Sequence, residues 1–370
     1  MITSLIEIHM IQNHCPANLN RDDLGAPKSC YFGGVLRTRI SSQCIKRSIR
    51  MSDDFRDLLG GIRTRRLAEL IQDSVTGKDV KKKAKEVLAK IGIKSGNDNA
   101  GTDMLVYTTK EAVAQMAQLI QNEDLNTADL VDSFKEIIST QVQVPDMALC
   151  GRMLETGEIK NTTVEAALQV AHAISTHEAH PEIDYYVAVD DIKGAGYIDQ
   201  AMFVSSCFYK YFSIDCAQLL HNLGGNKELA IKTIASFILS AARTNPSGKQ
   251  NSYAAHNLPE GILIEIKQKP FNYSNAFIKP VEYVKGSDIV SASIGQFANY
   301  VRDIGIGYYS ADSEREMYWF SPNRRYPLDP LTEGKEYIHL GALEELLDKL
   351  FQNKGYNWKE LLTTKAYGES

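Results

Sequence analysis

Val35-Leu36-Arg37-Thr38-Arg39-Ile40-Ser41-Ser42-Gln43-Cys44-Ile45-Lys46-Arg47-Ser48-Ile49-Arg50 decides how this chain is read. The first six residues carry Val35, Thr38 and Ile40, β-branched side chains that predict a strand. Ser41 and Ser42 are N-cap candidates, because a serine oxygen accepts from the unpaired N–H groups of a first helical turn. A helix follows from about Gln43. Along it Gln43, Lys46, Arg47 and Arg50 fall at i, i+3, i+4 and i+7, which places them on one stripe. Ile45 and Ile49 form a separate apolar stripe that can pack on a sheet. Counting Arg37 and Arg39, residues 35–52 hold five basic side chains and no acidic one. The helix N-terminus adds free N–H groups and a positive dipole end. An extended anion such as a phosphodiester backbone fits this layout. The competing reading is a solvated basic face, but the acidic residues expected at i±4 on such a face are absent.

Outward from this stretch, residues 2–11 read as a strand, and the polar run 18–23 leads through Gly25 and Pro27 into a loop. From about Arg63 to His177 the pattern turns helical, with amphipathic segments at 80–91, 109–121, 127–139 and 163–177. Thr127 is placed to cap the third segment, and Lys94–Thr102 has linker composition. Residues 184–190 and 202–214 are rich in aromatic and β-branched side chains. The glycine-bearing stretch between them makes a long hairpin. A helix at 227–242 and a strand at 261–267 follow. Strands flanking a helical insertion predict an α+β fold. Arg243–Tyr253 forms a second candidate, a polar loop able to hold a phosphate or stack a base.

The 370 residues suggest about two domains. Forty-one basic against 46 acidic side chains give a net charge of −5, unusual for a nucleic-acid binder. No apolar run is long enough to cross a membrane and no signal peptide is visible, so a cytoplasmic protein is expected. The six cysteines form no CxxC pair, and His177-Glu178-Ala179-His180 lacks the spacing that sets two rings on one helical face. No metal or cofactor is expected. Asp22-Asp23 and Asp190-Asp191 are adjacent pairs whose members would point to opposite faces of an extended strand, so neither forms an acid/base dyad. With no nucleophile elbow or phosphate-binding glycine motif, no catalysis is expected.

Leu19-Asn20-Arg21-Asp22-Asp23, Phe32-Gly33-Gly34, Arg39-Ile40-Ser41-Ser42-Gln43 and Lys46-Arg47 together resemble the N-terminal signature of the CasC family. That family is the repeated, Cas-seven-type backbone subunit of the type I-E CRISPR Cascade complex. Gly151-Arg152-Met153, Ala171–His177, Ile183-Asp184-Tyr185, Ala188–Asp191, Phe208–Tyr211, Leu223-Gly224-Gly225, Gln250–Ala255 and Ser274–Phe277 continue the match in the same order. The resemblance spans about residues 1–300 and is weaker over 76–140.

The resemblance implies an RRM-like palm (1–60 and 183–370), inserted helical fingers (61–182) and a β-hairpin thumb at about 190–212. It implies a non-catalytic protein whose copies polymerise head-to-tail along the crRNA guide. The thumb would kink the guide at regular intervals, leaving the segments between kinks to pair with target DNA. Its other partners would be the large subunit, the small subunits, the Cas-five-type cap subunit and the guide-processing endonuclease.

Carried over by position, Asn20, Arg21, Arg39, Ser41, Ser42, Gln43, Lys46, Arg47 and Arg50 would line the RNA groove. Lys249 and Gln250 would be further phosphate or sugar contacts. Phe203 and Ile159 would be apolar wedges at the kinked base, with core packing as the competing role for both. Val35-Leu36 stands where further basic residues are expected, and Glu158 beside the second wedge would repel phosphate. Two other functions remain: a type III-like backbone subunit cutting target RNA through Asp22 or Asp23, and a stand-alone RRM-like RNA-binding protein. The missing RNP1 motif weighs against the latter.

Overall fold

The computed structural model describes residues 4–77, 79–96, 101–156, 158–160, 162–189, 192, 194, 196–308, 315–323, 326, 328 and 338–364. In chain order the elements are β1 (Leu5–Ala17), β2 (Ser29–Phe32), β3 (Val35–Ile40), α1 (Ser42–Arg50), α2 (Asp53–Arg56), β4 (Gly61–Thr64), α3 (Leu67–Asp73) and α4 (Val80–Lys90). Then come β5 (Val106–Thr109), α5 (Lys110–Gln121), α6 (Thr127–Thr140), α7 (Pro145–Cys150), β6 (Leu168–Val170), β7 (Ala173–Ser175), β8 (Glu182–Ala188) and β9 (Tyr197–Asp215). The chain continues through α8 (Cys216–Asn222), α9 (Lys227–Arg243), α10 (Gln250–Tyr253), β10 (Gly261–Lys267), α11 (Ile289–Tyr308), β11 (Glu316–Phe320), β12 (Ile338–Leu340), α12 (Leu343–Leu350) and α13 (Trp358–Thr363). The fold is α+β, as expected.

Two compact units form. The first takes residues up to Phe55, Gln169–Asp215 and Ile234–Thr363. It is built on a sheet ordered β12-β11-β10-β1-β9-β7-β3-β2, with β6 and β8 also paired to β9. Seven consecutive residues of β1, Ile6 to Gln12, are buried, as expected for a strand covered on both faces. On one face, Ile294, Phe297, Ala298 and Val301 of α11 recur at helical spacing against Ile11, Tyr209, Tyr211 and Leu263. On the other, Phe237 of α9 meets Phe212 of β9 edge-on at 5.5 Å between ring centroids.

The α11 face also buries charge. Lys267 Nζ lies 2.5 Å from both Glu7 Oε2 and Glu265 Oε2, and Arg315 pairs with Glu265. Tyr209 Oη accepts from the Tyr273 N–H and shares a hydrogen bond of 2.8 Å with His9 Nδ1. His9 Nε2 lies 3.3 Å from Glu265 Oε2. Glu7, His9 and Glu265 are close enough to hold a cation. Lys267 and Arg315 already balance the two carboxylates.

The second unit takes Arg56–Leu168, Cys216–Thr233 and Thr364. Its core gathers Leu67 and Ile71 of α3, Ala84, Val87 and Leu88 of α4, Met116 of α5, and Leu130, Phe134 and Ile138 of α6. These are the apolar stripes of the amphipathic helices read from sequence. Asn126, not Thr127, caps α6, its Oδ1 accepting from Ala128 and Asp129 N–H at 2.8 and 3.0 Å.

The boundaries differ from the expected 61–182 insertion. Residues 163–177, expected as a helix, instead provide the short strands β6 and β7. Ile174 pairs with both Arg39 and Tyr209, and the Ala171 N–H donates to Tyr211 O at 3.1 Å. Residues 216–233 join the second unit because Asn222 Nδ2 donates to Ala148 O and Glu165 O. The expected 190–212 hairpin is formed by β8 and the outer half of β9, beginning at Glu182. Asp190 and Asp191 lie outside the described residues.

Candidate nucleic-acid interface

The helix α1 is capped as its sequence dictates. Ser41 adopts extended backbone and its Oγ accepts from the Cys44 N–H at 3.3 Å. The Ser41 N–H in turn donates to Asn20 Oδ1 at 2.9 Å, which fixes the 18–28 loop to the helix N-terminus. Ile45 and Ile49 turn inward, 5% and 4% exposed. Gln43 and Arg47 are exposed, with Lys46 and Arg50 half-buried beside them. No acidic residue occupies the helix's first turn, and Arg47 and Arg50 lie in its last, where the dipole favours cations.

An open cleft of about 760 Å³ lies against this helix. Arg47, Ser48 and Cys44 of α1 form one wall, Asn20 and Arg21 with the carboxylates Asp22 and Asp23 another, and Thr244, Asn245, Ser247 and Gly248 a third. Both sequence candidates, the basic stripe and the 243–253 loop, therefore meet at one site. Among the described residues, Arg21, Lys46, Arg47 and Lys249 have no carboxylate within ion-pair distance. Cations outside ion pairs, with hydroxyl and amide groups opposite, suit a sugar-phosphate chain.

The third wall is tied down from below. Gln12 Nε2 donates to Asn245 Oδ1 at 2.9 Å and to Asn257 O at 2.7 Å. Lys249 (φ 52°) and Ala254 (φ 47°) take the left-handed conformation at either end of α10, a strained arrangement that concentrates at functional loops. Lys249 itself is half-buried, and its carbonyl accepts from the Ser252 and Tyr253 N–H groups.

Several expected contacts are corrected. Arg37 is buried, and its guanidinium donates to Phe32 O, Ser175 O and Phe277 O, so it braces the sheet and does not join the cationic wall. Gln250 Nε2 donates to Pro246 O and Ala255 O, which makes its amide a loop staple and leaves it no reach toward RNA. Asn20 and Ser41 serve each other, and Ser42 is buried beside them. Arg39 is half-buried, its Nη1 3.1 Å from His172 Nδ1. Burial first, then Arg39 and Lys28, lowers the His172 pKa.

Ile159 is 1% exposed in the core of the second unit, so it packs there and is no wedge. In its loop the exposed apolar side chain is Met153, at 89%. Glu158 points to Lys135 at 3.4 Å. Phe203 pairs with Glu182 in the hairpin and is half-buried, its ring 5.9 Å from that of Tyr253. The register places Ile183, Tyr185 and Val187 with Ile198 and Met202 on one hairpin face. Ile183, Tyr185, Val187 and Ile198 are exposed there, an apolar face that the aromatic and β-branched composition foreshadowed only as strand.

Asp22 Oδ1 accepts from the Leu24 and Ala26 N–H groups, both at 2.9 Å, which assigns that carboxylate to a turn. Two buried bases lie behind the cleft. Burial lowers Lys210 to about 8, and burial with the Lys210 charge lowers His14 to about 3.

This arrangement of sheet, inserted helical unit and hairpin is the architecture of subunits from RNA-guided surveillance complexes. A chain of a structure described as a CRISPR RNA-guided surveillance complex, pre-nicking, superposes with a TM-score of 0.81 at 26% identity, covering 94% of this chain and 98% of that one. A chain of another CRISPR RNA-guided surveillance complex shares the fold with a TM-score of 0.60 at 23% identity over the same shares. The chain belongs to the CT1975-like protein family, whose sequence profile matches residues 6–346. The resemblance to the CasC backbone subunits holds. No curated protein matches the sequence. Among the described residues no helix is long and apolar enough to cross a membrane.

Proposed function

We propose that this chain is the non-catalytic crRNA-binding backbone subunit of a type I-E Cascade complex. The observation that carries this reading is Arg47 of α1, without a carboxylate at ion-pair distance, lining a cleft with Arg21 and the 244–248 loop. Such a site grips backbone phosphates irrespective of base identity, as a guide of arbitrary sequence requires.

The first unit would be the palm. Its strand order β10-β1-β9-β7, with α1 between β1 and β7 and α9 between β9 and β10, supports the RRM-like description. The helical second unit would be the fingers and the β8–β9 hairpin the thumb. Phe203 is the wedge candidate, half-exposed at the root of that hairpin. Copies would join head-to-tail along the guide, a heterologous contact that leaves an open filament. The filament would hold kinked guide segments ready for target DNA, together with the large, small, cap and guide-processing subunits, in the cytoplasm. The turn-bound carboxylate of Asp22 accords with a chain that positions RNA and does not cut it.

Titrating purified protein with single-stranded RNA of unrelated sequences at several salt concentrations tests the groove. Affinity independent of sequence, falling steeply with salt, is the expected result. Affinity that tracks base sequence, or an Arg47→Ala variant that binds like wild type, would reject it.

A further inference from the structure

The second unit divides its charge along the chain. Residues 56–96 carry eleven basic and five acidic side chains, whereas residues 103–168 carry four basic and eleven acidic. None of this polarity is used by the RNA cleft, which belongs to the first unit.

Folding gathers the basic half into a patch. Lys81 Nζ lies 2.9 Å from Glu69 Oε1 and Arg66 Nε lies 3.7 Å from Glu69 Oε2. Arg65, Arg66, Glu69 and Lys85 line one small hollow. Lys81, Arg66 and Lys85 together hold the Glu69 carboxyl below its usual range. One carboxylate thus faces three cations with Arg65 beside them, and Arg65 and Arg66 are exposed.

The acidic half makes a matching stripe. On α6, Asp129, Asp132 and Glu136 are exposed at i, i+3 and i+7, opposite the buried Leu130, Phe134 and Ile138. The one lysine of that helix, Lys135, is drawn to Glu158. A surface meant for phosphate would have no use for Glu69 at its centre or for an equal and opposite face on the same unit. A surface meant for the next copy of the same chain needs both, because a head-to-tail contact joins two different faces.

We propose that the Glu69-centred basic patch docks on the α6 acidic stripe of a second copy of this chain. The proposal rests on the head-to-tail assembly proposed above and names the surfaces that meet.

Two full-length variants test it: Arg66→Glu with Lys85→Glu, and Asp132→Lys with Glu136→Lys. All four side chains are at or near the surface, so both variants should keep the wild-type melting temperature. Sedimentation on single-stranded RNA long enough for several copies should show each variant assembling about tenfold more weakly or worse. An equimolar mixture of the two should recover assembly, since acidic-faced and basic-faced copies can alternate, and a chain carrying all four changes should assemble with itself. Variants that assemble like wild type, or a mixture that stays dispersed, would overturn the proposal. So would a basic-patch variant that loses affinity for an RNA too short for two copies, which would mark the patch as a nucleic-acid surface. Wild-type protein failing to assemble on RNA of any length would instead remove the functional reading beneath it.

Discussion

Gly248 sits against the main chain at Leu19 so closely that a Cβ on it would stand 2.3 Å from the Leu19 carbonyl oxygen. That oxygen and the neighbouring Asn18 carbonyl are backbone atoms and cannot move aside cheaply. The approach brings the 244–250 loop to the 18–28 loop, and so sets the width of the cleft whose other wall is Arg47. Gly248→Ala should therefore weaken RNA binding and lower the melting temperature. Isothermal binding and thermal melts on one preparation check this; unchanged affinity would show that the loop does not shape the groove.

Two arginines ten residues apart should behave oppositely. Arg47→Ala should reduce the salt slope of RNA binding by about one, equally for all sequences, and leave stability within about 0.5 kcal/mol. Arg37→Met should leave the slope alone and cost about 3 kcal/mol of stability, because three buried carbonyls lose their donor. Denaturant midpoints and salt titrations of both variants separate the roles.

Ile159→Ala and Phe203→Ala form a second contrasting pair. The first opens a cavity in a closed core and should cost about 2–5 kcal/mol of folding stability with RNA affinity intact in the protein that remains folded. The second should cost about 1–3 kcal/mol of RNA affinity if the ring stacks on a base. A Phe203→Ala variant that binds normally but melts earlier would place that ring in the packing between the hairpin and Tyr253.

Stability should fall with acid through His14. Its folded pKa is depressed from 6.5 to about 3 by burial and by Lys210, against which Asn257 acts only weakly. Between those values the unfolded chain binds a proton that the folded chain refuses. The contribution is complete above pH 6.5 and is lost as pH falls toward 3, by at most about 1.4 kcal/mol per pH unit. His14→Phe should flatten that limb of the stability–pH curve without loss at neutral pH. An identical acid limb in the variant would assign the effect elsewhere, His9 being the other buried imidazole with a lowered pKa.

Local physics made α1, α4, α5, α6, α9 and β10 legible, because each carries its own period, cap or β-branched run. Residues 163–177 misled for the same reason. Ala166, Val170, Ala173 and Ile174 satisfy a helical spacing, yet β3 and β9 offer backbone partners that only the tertiary fold supplies. Arg37 and Arg39 looked equivalent in sequence. They lie on one side of β3, yet Arg37 is 0% exposed because its guanidinium reaches Ser175 O and Phe277 O, whereas Arg39 stays half-buried beside His172. Lys249 and Gln250 were legible as polar loop residues, but Gln250 is spent on Pro246 and Ala255, and the hydroxyls that line the cleft are those of Thr244 and Ser247. The meeting of that loop with the 18–28 loop depends on Gly248 approaching Leu19 across 229 residues of chain, for which no local pattern exists.

The central claim is that each copy holds a stretch of guide backbone in the α1 cleft and that copies accumulate along the guide. Native mass measurement of the protein bound to single-stranded RNAs of increasing length tests it most directly. The account predicts a copy number that climbs in steps with RNA length and collapses in an Arg47→Ala, Lys46→Ala double variant. One copy at every length, or protein that carries no RNA at all, would contradict it.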